Sequence, residues 1–421
     1  MLLTVAALAA VIFTVVPPSE YEKLAEPYTI WIGTDMHYLS PALCGDGHFF
    51  STPRSTGDGK VVHYSDELTR AFLQQAADEQ PDLVVLTGDL TLNGALRSHE
   101  ELVGYLHELQ NSGVQVLVLP GNHDISAVGG DYSGEEIELV EGLSPERYAE
   151  LYAPFGWQQA VSRDETSMSY FYEATDKLRI LMLDVNLYTK GFVRNATLQW
   201  LEQELSYCRK NGIKVIAASH QNLYAHNELL SFGYQMYSAD KVTPLYEEYG
   251  VKANFSGHIH VQSIVRDMPV PEIVTASMAV MPTAYGVVEY DGRGFSYTAQ
   301  SVDVAAWAAA EGIADENLLD FGEYAEWYFE EVARNQVRAR FAQSDPNAFT
   351  QSELTAEEIE LLANTFAEIN SAYFSGVGAD GEAHAEGLAL WRSLPEAGFH
   401  LSYFDTMLAA AEKDMLRIEF G

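Results

Sequence analysis

Five short groups of carboxylate, amide and imidazole side chains follow one another along the first two-thirds of the chain. They are Asp35-Met36-His37, Gly88-Asp89, Gly121-Asn122-His123-Asp124, His220 and Gly257-His258-Ile259-His260. Each group comes directly after a segment predicted to be a β-strand. Rigid strand ends carrying oxygen and nitrogen ligands are what divalent ions need. Two such ions, about 3.5–4 Å apart, stabilise both oxygens of a displacement at phosphorus, so the pattern predicts a two-metal hydrolytic site.

The elements that must position these groups alternate along the chain. The predicted strands are 28–33, 81–87, 115–119, 169–173, 178–183, 213–219 and 251–256, and the predicted helices are 65–79, 98–112, 197–211 and 240–249. The second helix is expected to begin at a capping box formed by Ser98 and Glu101. The polar insertion 126–166 is predicted to be loop and short helix. Alternating strands and helices indicate a layered α/β fold whose strand-end loops carry function.

The composition is that of a folded but strongly acidic protein. The 421 residues are enough for one large and one smaller domain. With 24 basic and 61 acidic residues, the chain has a formal net charge of -37. Because nonspecific binding to nucleic acids or anionic bilayers depends on Lys and Arg, no nucleic-acid polymer is expected as a partner. A small anionic substrate can still enter if metal ions reverse the local charge.

The first 18 residues predict export. Residues 1–16 form an apolar run that ends at Pro17-Pro18, a length typical of a signal peptide and short for a membrane span. The run lacks a basic start and a clear cleavage site, so a retained membrane anchor and a buried first strand stay open. We expect an extracytoplasmic protein, either secreted or tethered by this segment. Cys44 and Cys208 could form a bridge in that environment, but their spacing does not decide it.

The character of the chain changes after about residue 302. Segment 303–421 holds 23 acidic and 6 basic residues. Apolar residues at helical spacing predict one helix over 353–375, behind a capping box of Thr355 and Glu358, and a second over 400–420. We therefore predict a small acidic helical domain at 303–421, which could contact a partner or shield one side of the active-site cleft.

The five groups together resemble the motifs of the calcineurin-like metallophosphoesterase superfamily, D-x-H, G-D, G-N-H-D/E, H and G-H-x-H. The resemblance covers residues 28–300, and all five motifs occur in order. Each motif alone is weak, because a strand-end His or Asp is more often a cap or turn residue, but the ordered set is specific. The resemblance implies a four-layer α/β/β/α sandwich as the catalytic domain, assigned to 28–302, followed by the helical domain.

The resemblance also implies a role for each matching residue. The first metal would be held by Asp35, His37 and His260, the second by Asn122, His220 and His258, and both by Asp89. His123 resembles the family's non-ligand histidine, which protonates the leaving oxygen or contacts the phosphate, and Asp124 would orient it. Two divalent ions, manganese, iron or zinc, would share a hydroxide as the nucleophile, because coordination lowers the pKa of water towards about 7.

Departures from the general pattern narrow the subfamily. Leu92 stands where purple acid phosphatases place an iron-binding tyrosine. Segment 88–94 contains no arginine of the kind that phosphoprotein phosphatases carry. This segment, with Ser98-His99-Glu100-Glu101, is more similar to bacterial exported phosphodiesterases that act on cyclic nucleotides, some of which also have a C-terminal helical domain.

The sequence therefore predicts a metal-dependent phosphodiesterase for a small, cyclic nucleotide-like substrate. Asn93, His99 and His226 lie near predicted ligands in the sequence and are candidates for substrate contact. A phosphomonoesterase or nucleotidase with the same site is the alternative, but a dianionic monoester needs further cations, and the nearest arginines are Arg97 and Arg194. A third hypothesis is a non-catalytic surface protein whose tail binds a partner. Such a protein would bind no stoichiometric metal and hydrolyse no substrate.

Overall fold

The computed structural model describes residues 24–342, 349 and 354–421, so the predicted export segment, 1–18, lies outside the described residues. The strands are β1 (Tyr28–Gly33), β2 (Leu83–Leu86), β3 (Gln115–Val118), β4 (Val128–Asp131), β5 (Glu138–Glu141), β6 (Ser162–Arg163), β7 (Tyr170–Thr175), β8 (Leu178–Met182), β9 (Lys214–Ala218), β10 (Asn254–Ser256), β11 (Ser263–Val265), β12 (Glu272–Val274), β13 (Ala284–Tyr290), β14 (Phe295–Ser301) and β15 (Arg417–Phe420). The helices are α1 (Pro41–Cys44), α2 (Ser65–Glu79), α3 (Leu96–Asn111), α4 (Pro145–Tyr152), α5 (Asn195–Asn211), α6 (Ala239–Tyr249), α7 (Val304–Glu311), α8 (Glu316–Leu319), α9 (Phe321–Arg340), α10 (Ala356–Phe374), α11 (Ala385–Ser393) and α12 (Gly398–Ala410), with short 3-10 helices at Val62–Tyr64 and Glu228–Leu230.

Most strands belong to two larger sheets. The six-stranded sheet has the order β15-β14-β13-β1-β2-β3, the seven-stranded sheet has the order β11-β12-β10-β9-β8-β7-β6, and β4 pairs with β5 separately. Strands β1, β2 and β3 run parallel to one another, as do β8, β9 and β10. The carboxyl ends of parallel neighbours lie at the same edge of a sheet, so the loops after these strands come together there.

Alternation along the strands builds three layers of apolar packing. On β1, Ile30 and Ile32 pack in the core between the sheets, whereas Trp31 packs in the core that holds α2 and α3. On β9, Ile216 belongs to the core between the sheets, and Val215 packs in the cluster with α5 and α6. Helices therefore cover the outer face of each sheet, which confirms the predicted α/β/β/α sandwich.

Helices α7, α8 and most of α9 pack in the core that holds α2 and α3, whereas α10, α11, α12 and the end of α9 form a separate core against the sandwich. Helix α10 begins at the predicted capping box, in which the Glu358 amide donates to Thr355 Oγ1 at 3.2 Å and the Thr355 amide donates to Glu358 Oε2 at 2.8 Å. Trp391 is fully buried in this core and donates from Nε1 to the Leu362 carbonyl oxygen at 3.1 Å. Ile259, from the loop after β10, belongs to the same cluster, so the helices contact the sandwich beside one of the motifs.

The start of α3 differs from the prediction. The helix begins after Ala95, which has no side chain able to cap it. Ser98 lies inside the helix, and its Oγ accepts a hydrogen bond from the Ser40 amide at 3.0 Å. The predicted Ser98 capping box is therefore wrong, because a tertiary contact uses the hydroxyl that would have capped the helix.

Two further segments differ from the prediction. The insertion 126–166 contains α4 and the strands β4, β5 and β6 rather than only loop and short helix. The predicted helix 400–420 ends at Ala410, and the end of the chain forms β15, antiparallel to β14. Phe420 on β15 stacks on Phe295 on β14, with ring centroids 5.1 Å apart and an angle of 4° between planes.

Neither a disulfide nor a membrane-spanning helix contributes to the described structure. Cys44 and Cys208 are both buried and free, and they lie in different apolar clusters. Among residues 24–342, 349 and 354–421, no helix has the combination of length and apolar character needed to cross a bilayer.

Candidate metal centre

The predicted ligands lie on loops that directly follow parallel strands. Asp35 and His37 follow β1, Asp89 follows β2, Asn122 follows β3, His220 follows β9, and His258 and His260 follow β10. Backbone hydrogen bonds join the first two loops, because the Asp35 amide donates to the Gly88 carbonyl and the His37 amide to the Asp89 carbonyl, each at 3.0 Å. The loops are therefore held side by side before any side chain is considered.

Five of the predicted ligands have a left-handed backbone conformation. The φ angles are 52° at Asp35, 45° at His37, 48° at Asp89, 69° at His258 and 64° at His260. Such conformations cost on the order of 1–3 kcal/mol each for a residue other than glycine, and they persist where the surrounding structure fixes them. Among the described residues, Gln80 and Thr283 are the other non-glycine positions with a positive φ, so most of this strain lies in the loops that carry the ligands, which is typical of a functional site.

Asp35, His37, Asp89 and His260 form the first group of potential ligands. The Nε2 atoms of His37 and His260 lie 3.2 Å apart, and Asp35 Oδ1 lies 3.3 Å from His260 Nε2. Asp35 Oδ2 accepts from Thr34 Oγ1 at 2.7 Å, whereas the buried Oδ1 has no hydrogen-bond partner among the described residues. Two imidazole nitrogens converging beside an unpartnered carboxylate oxygen fit a bound cation.

The second group shares Asp89 with the first. Asp89, His220 and His258 offer ligand atoms close together, and Asn122 Oδ1 lies 3.1 Å from His220 Nε2. Asp89 Oδ1 lies 3.3 Å from His220 Nε2, whereas its Oδ2 lies 3.9 Å from His37 Nε2 in the first group. One oxygen of Asp89 therefore faces each group, as the predicted bridging role requires.

Backbone carbonyls fix the tautomers of two histidines in the second group. His220 Nδ1 lies 3.0 Å from the Thr87 carbonyl oxygen, and His258 Nε2 lies 2.9 Å from that of Gly233. A carbonyl oxygen only accepts, so these nitrogens carry the protons. His220 Nε2 and His258 Nδ1 are left as the ligand atoms, each oriented by a hydrogen bond behind the ring.

The charges of the two carboxylates depend on the imidazoles around them. Burial raises the pKa of Asp35, but His260 outweighs it and holds the pKa below its ordinary value. Burial opposes ionisation of Asp89 in the same way, and His220 holds the pKa of Asp89 well below its ordinary value. Burial lowers the pKa of His220, but the Asp89 carboxylate raises it to about 9. A cation bound beside Asp89 would take the place of that proton.

Two other imidazoles are held neutral. Burial and then the charge of Lys60 hold the pKa of His37 well below its ordinary value. Burial and then the charge of His220 lower the pKa of His258 to about 4. Because a histidine binds metal through the neutral ring, both are ready to serve as ligands.

The close approach of the loops requires glycine at two motif positions. A Cβ atom at Gly121 would overlap the amide nitrogen and the carboxylate of Asp89. A Cβ atom at Gly257 would overlap the Thr34 hydroxyl and the Asp35 carboxylate. These glycines let the neighbouring backbones approach the carboxylates closely.

His123 lies beside the first group without joining it. Its ring centroid is 5.0 Å from that of His37, with the two planes nearly perpendicular, and its Nε2 lies 4.0 Å from Asp89 Oδ2. The side chain is 40% exposed, so a ligand can reach it. Its Nδ1 lies 2.8 Å from the Leu92 carbonyl oxygen, which fixes the orientation of the ring.

Asp124 has a different role from the one predicted. Its buried carboxylate accepts from the backbone amides of Gly121 at 2.7 Å and Thr91 at 2.9 Å, and in the described part of the chain it makes no hydrogen bond to the His123 ring. Burial, followed by the charge of Asp89, raises the pKa of Asp124 to about 7. Asp124 therefore joins the loops after β2 and β3, and the predicted orientation of His123 comes from a backbone carbonyl instead.

Two of the three predicted substrate contacts have buried side chains. His99 is fully buried, with Nδ1 2.8 Å from Tyr152 Oη and Nε2 3.0 Å from the Asp124 carbonyl oxygen. The His226 side chain is only 1% exposed, and its Nε2 lies 3.2 Å from Glu272 Oε2. The predicted contact of His99 with substrate is wrong, because its ring is fully buried. The contact predicted for His226 stays a prediction, because this ring lines a small cavity with Ser263 and Tyr373.

The remaining polar candidates are used by their own surroundings. Asn93 is partly exposed, but its Nδ2 donates to the Gly130 carbonyl oxygen at 3.2 Å, which stabilises the turn after Leu92. Arg97 pairs with Glu101 at 2.9 Å on the surface of α3. Arg194 donates to a backbone carbonyl. These contacts do not involve the candidate metal ligands.

Lys60 is the cation that the sequence analysis missed. Its side chain is 7% exposed and forms an ion pair with Asp58, and its charge contributes to the low pKa of His37. The amide of Val61, the next residue, donates to the Ala279 carbonyl at 2.9 Å, and the Ala279 amide donates to the Asp35 carbonyl at 3.2 Å. Only the tertiary structure brings Lys60 to the centre, because no motif surrounds it in the sequence.

Comparison with known proteins gives two family matches. Residues 28–262 match the model for calcineurin-like phosphoesterase, and residues 303–414 match the model for the C-terminal domain of cyclic nucleotide phosphodiesterase. No curated protein matches the chain.

Several solved structures are similar to this chain. A dimetal phosphatase from Danio rerio is 13% identical, with 66% of this chain and 96% of that chain covered and a TM-score of 0.49. A purple acid phosphatase from yellow lupin seeds is also 13% identical, with 66% and 52% covered and a TM-score of 0.45. A putative 5'-nucleotidase from Staphylococcus aureus is 13% identical, with 72% and 58% covered and a TM-score of 0.38.

The first family match carries the conclusion. It spans more than half of the chain and includes every loop that contributes to the two ligand groups. Clustered aspartates and histidines at these strand ends suit divalent metal ions. The chain thus belongs to the calcineurin-like phosphoesterase family of metal-dependent phosphoester hydrolases, and its helical tail matches the cyclic nucleotide phosphodiesterase C-terminal domain.

Proposed function

We propose that this chain is a dinuclear metal-dependent phosphodiesterase that hydrolyses a small, cyclic nucleotide-like diester. The observation that carries the proposal is the position of Asp89, whose two carboxylate oxygens face two separate groups of ligands. A carboxylate shared in this way offsets the repulsion between two dications. Manganese, iron and zinc all suit imidazole, carboxylate and amide donors, so the proposal includes all three.

The bound ions would polarise the phosphoryl oxygens and activate a water molecule near neutral pH. The protein's own residues position the reaction. The Thr87 carbonyl keeps a proton on His220 Nδ1, which leaves Nε2 available as a ligand. Because the Leu92 carbonyl occupies His123 Nδ1, any proton that His123 transfers to the leaving oxygen comes from Nε2.

Two observations bear on the choice between a diester and a monoester, and together they favour the diester. The match of residues 303–414 to the C-terminal domain of cyclic nucleotide phosphodiesterase supports a cyclic nucleotide-like ester. Lys60, the buried cation near His37, favours a dianionic monoester as a second candidate. However, Lys60 is paired with Asp58, whose carboxylate offsets its positive charge. The second negative charge of a monoester would therefore be poorly compensated, which favours a monoanionic diester.

We also propose that the enzyme works outside the cytoplasm on a small molecule. Segment 1–18 would serve as a signal peptide or membrane tether, and the net charge of -37 disfavours a nucleic-acid polymer as partner. The location is tested by fractionating cells that express either the full chain or a form that lacks residues 1–18. Recovery of both forms in the cytoplasm would contradict it.

The central experiment compares bis-p-nitrophenyl phosphate with p-nitrophenyl phosphate as substrates in the presence of manganese. Wild type should prefer the diester and bind two metal ions per chain by elemental analysis. Asp89→Asn should lose most turnover and at least one metal ion, whereas Asp78→Asn, an exposed aspartate on α2, should change neither. Preference for the monoester would favour the second candidate, and hydrolysis that persists in Asp89→Asn would refute the two-metal proposal.

A further inference from the structure

A cleft of about 570 Å³ lies between the sandwich and the C-terminal helices. Residues 55–58 line one side, and α9, α10 and α12 line the other. Helix α9 holds the facing loop in place, because Asn335 Nδ2 donates to the Pro53 carbonyl at 3.2 Å and Gln336 Nε2 donates to the Gly57 carbonyl at 3.0 Å. The volume lies within the range of about 300–1,000 Å³ typical of small-molecule sites.

Aromatic rings form much of the helical side of this cleft. Phe366 and Tyr403 are both 8% exposed, so their positions are fixed by packing. Phe399 is 58% exposed at the rim, and its ring is nearly parallel to that of Tyr403, at 14° and 6.2 Å. Flat apolar surfaces of this kind suit a planar heteroaromatic ring, which gains both burial and stacking.

Among the described residues, the Asn370 amide nitrogen, the Arg340 guanidinium and His400 Nδ1 lack a protein partner in this cleft. Asn370 is 8% exposed and accepts from Tyr403 Oη at 3.3 Å through Oδ1, but its amide nitrogen has no hydrogen-bond partner among the described residues. Arg340 lines the cleft and makes no ion pair within residues 24–342, 349 and 354–421. By contrast, Arg334 and Arg338 on the same helix pair with glutamates at 2.6 Å and 2.7 Å.

The lack of an ion pair at Arg340 within the described part of the chain matters because the chain holds 61 acidic and 24 basic residues. In such a chain, an arginine with no carboxylate partner among residues 24–342, 349 and 354–421 is available to a ligand in an aromatic cleft. Its planar guanidinium can stack on an aromatic ring or donate to ring and sugar oxygens. Together with the Asn370 amide, it supplies donors at the edge of a stacked ring.

The cleft is next to the metal centre on two sides. Ile259, between two candidate metal ligands, packs in the same apolar cluster as Phe366 and Tyr403. Tyr234 packs against that cluster, and its ring centroid lies 5.1 Å from that of His258. On the other side, Asp58 lines the cleft and pairs with Lys60, whose charge acts on His37.

We propose that this cleft binds the base of a nucleoside phosphate whose phosphoryl group lies at the metal centre. This inference rests on the proposed function and names the substrate as a nucleotide. The base stacks against Phe366 and Tyr403, the Asn370 amide donates to a ring acceptor, and Arg340 covers the outer side. The C-terminal helices are therefore part of the substrate site rather than a surface for another protein.

The test compares substrates with and without a base in the full-length, metal-loaded enzyme. The quantity measured is kcat/KM for 3′,5′- and 2′,3′-cyclic nucleotides divided by kcat/KM for methyl p-nitrophenyl phosphate. Arg340→Ala and Asn370→Ala should each lower this ratio by about tenfold, the loss expected for one hydrogen bond to the ligand. Arg392→Ala, an exposed arginine on α11 outside the cleft, is the matched control and should keep the wild-type ratio.

Calorimetric binding of adenosine, guanosine, cytidine and uridine provides a measurement that does not depend on hydrolysis. Wild type should bind at least one nucleoside, and Arg340→Ala or Asn370→Ala should weaken that binding about tenfold. Wild type that binds no nucleoside, or variants with an unchanged substrate ratio, would overturn the cleft assignment while leaving Asp89-dependent diester hydrolysis intact. Nucleoside binding that needs Arg340, combined with activity that survives Asp89→Asn, would instead retain the cleft and reject the two-metal function.

Discussion

The Nδ1 atom of His123 lies 2.8 Å from the backbone carbonyl oxygen of Leu92, and this contact defines what the ring can do. Because the carbonyl only accepts, Nδ1 is a donor, and Nε2, 4.0 Å from Asp89 Oδ2, is the atom that points towards the two ligand groups. The ring is thus oriented by the backbone and not by a second side chain. Its proton-transfer role can be separated from metal binding.

Replacing His123 should affect substrates according to their leaving groups. His123→Ala should lower kcat for a cyclic nucleotide by about 10²–10⁴, the usual contribution of a general acid, because an alkoxide leaves poorly without a proton. Hydrolysis of bis-p-nitrophenyl phosphate should fall much less, because p-nitrophenolate leaves readily. Steady-state kinetics on both substrates test this, with elemental analysis to show that two metal ions stay bound.

His48→Ala is a suitable control for the loss of an imidazole. His48 is exposed and contacts Asp46 at 2.7 Å, away from the ligand loops. It should leave both rates unchanged. Equal losses on the two substrates in His123→Ala would show that the ring supports binding or structure and not proton transfer.

Asp124→Asn should loosen the junction between the loops after β2 and β3. The carboxylate accepts from the amides of Gly121, Thr91 and Leu90, and a neutral amide is a weaker acceptor that also brings an unwanted donor. We expect a loss of roughly 1.5–3 kcal/mol in the free energy of unfolding and weaker metal binding. Urea unfolding at pH 8, above the raised pKa of about 7, measures the effect.

The exposed Asp176 provides the comparison for Asp124. Asp176→Asn makes the same replacement of a carboxylate by an amide, but in the turn between β7 and β8. It should alter neither stability nor metal affinity. If Asp124→Asn were as stable as Asp176→Asn, the carboxylate would not be the group that joins the loops.

The ligands were predictable from the sequence because their chemistry and their place in the chain are both constrained. Only a few side chains bind divalent ions through oxygen and nitrogen, and parallel strands bring their carboxyl ends to one edge. The proximity of Asp35 and Asp89 could therefore be predicted, although they lie 54 positions apart in the sequence. The layered fold follows from the same alternation of buried strands and amphipathic helices.

The errors arose where distant contacts override local pattern. His99 sits in the first turn of α3 and would be exposed on an isolated helix, but Tyr152 and the Asp124 loop bury it. Lys60 has no motif around it, and only the contact with Ala279 places it near Asp35. The sequence predicts a helix at 417–420 because the alternation of apolar and polar residues there is short, whereas the strand forms through pairing with β14.

Removing metal should destabilise the protein. In the first group, Asp35 Oδ1 is buried without a hydrogen-bond partner among the described residues, and the His37 and His260 nitrogens lie 3.2 Å apart. A ligand that binds only the folded state stabilises it by about 2.7 kcal/mol at a hundred times its dissociation constant. Chelation should therefore lower the melting temperature, and added manganese should restore it.

Asp89→Asn should reduce the stabilisation that manganese gives, whereas Asp78→Asn should keep it. Differential scanning calorimetry of each variant, with chelator and with manganese, makes the comparison. A melting temperature that does not respond to manganese in wild type would contradict the assignment of Asp35, His37 and His260 as ligands.

His99 should make stability depend on pH below neutrality. Burial lowers its pKa to about 3 in the folded protein, so the ring stays neutral where the unfolded chain, with an ordinary pKa of 6.5, becomes protonated. The unfolded state then binds more protons, and stability is lost as the pH falls from 6.5 towards 3. His99→Gln should reduce the slope of unfolding free energy against pH by up to about 1.4 kcal/mol per unit. Urea unfolding between pH 7.5 and 4.5 measures it, with His107→Gln, an exposed histidine on α3, as the control.

The end of the chain should contribute to the stability of the sandwich. Strand β15 pairs with β14 over Arg417–Phe420, and Phe420 stacks on Phe295 at 5.1 Å. Removing residues 417–421 would expose the edge of β14 and the face of Phe295, with an expected loss on the order of 2–4 kcal/mol from burial and ladder hydrogen bonds. Thermal unfolding of the truncated chain measures this, and the open edge should also increase aggregation.

Arg417→Ala, at an exposed position of the same strand, should keep the wild-type melting temperature. A truncated chain as stable as wild type would show that β15 rests on the sheet without supporting it.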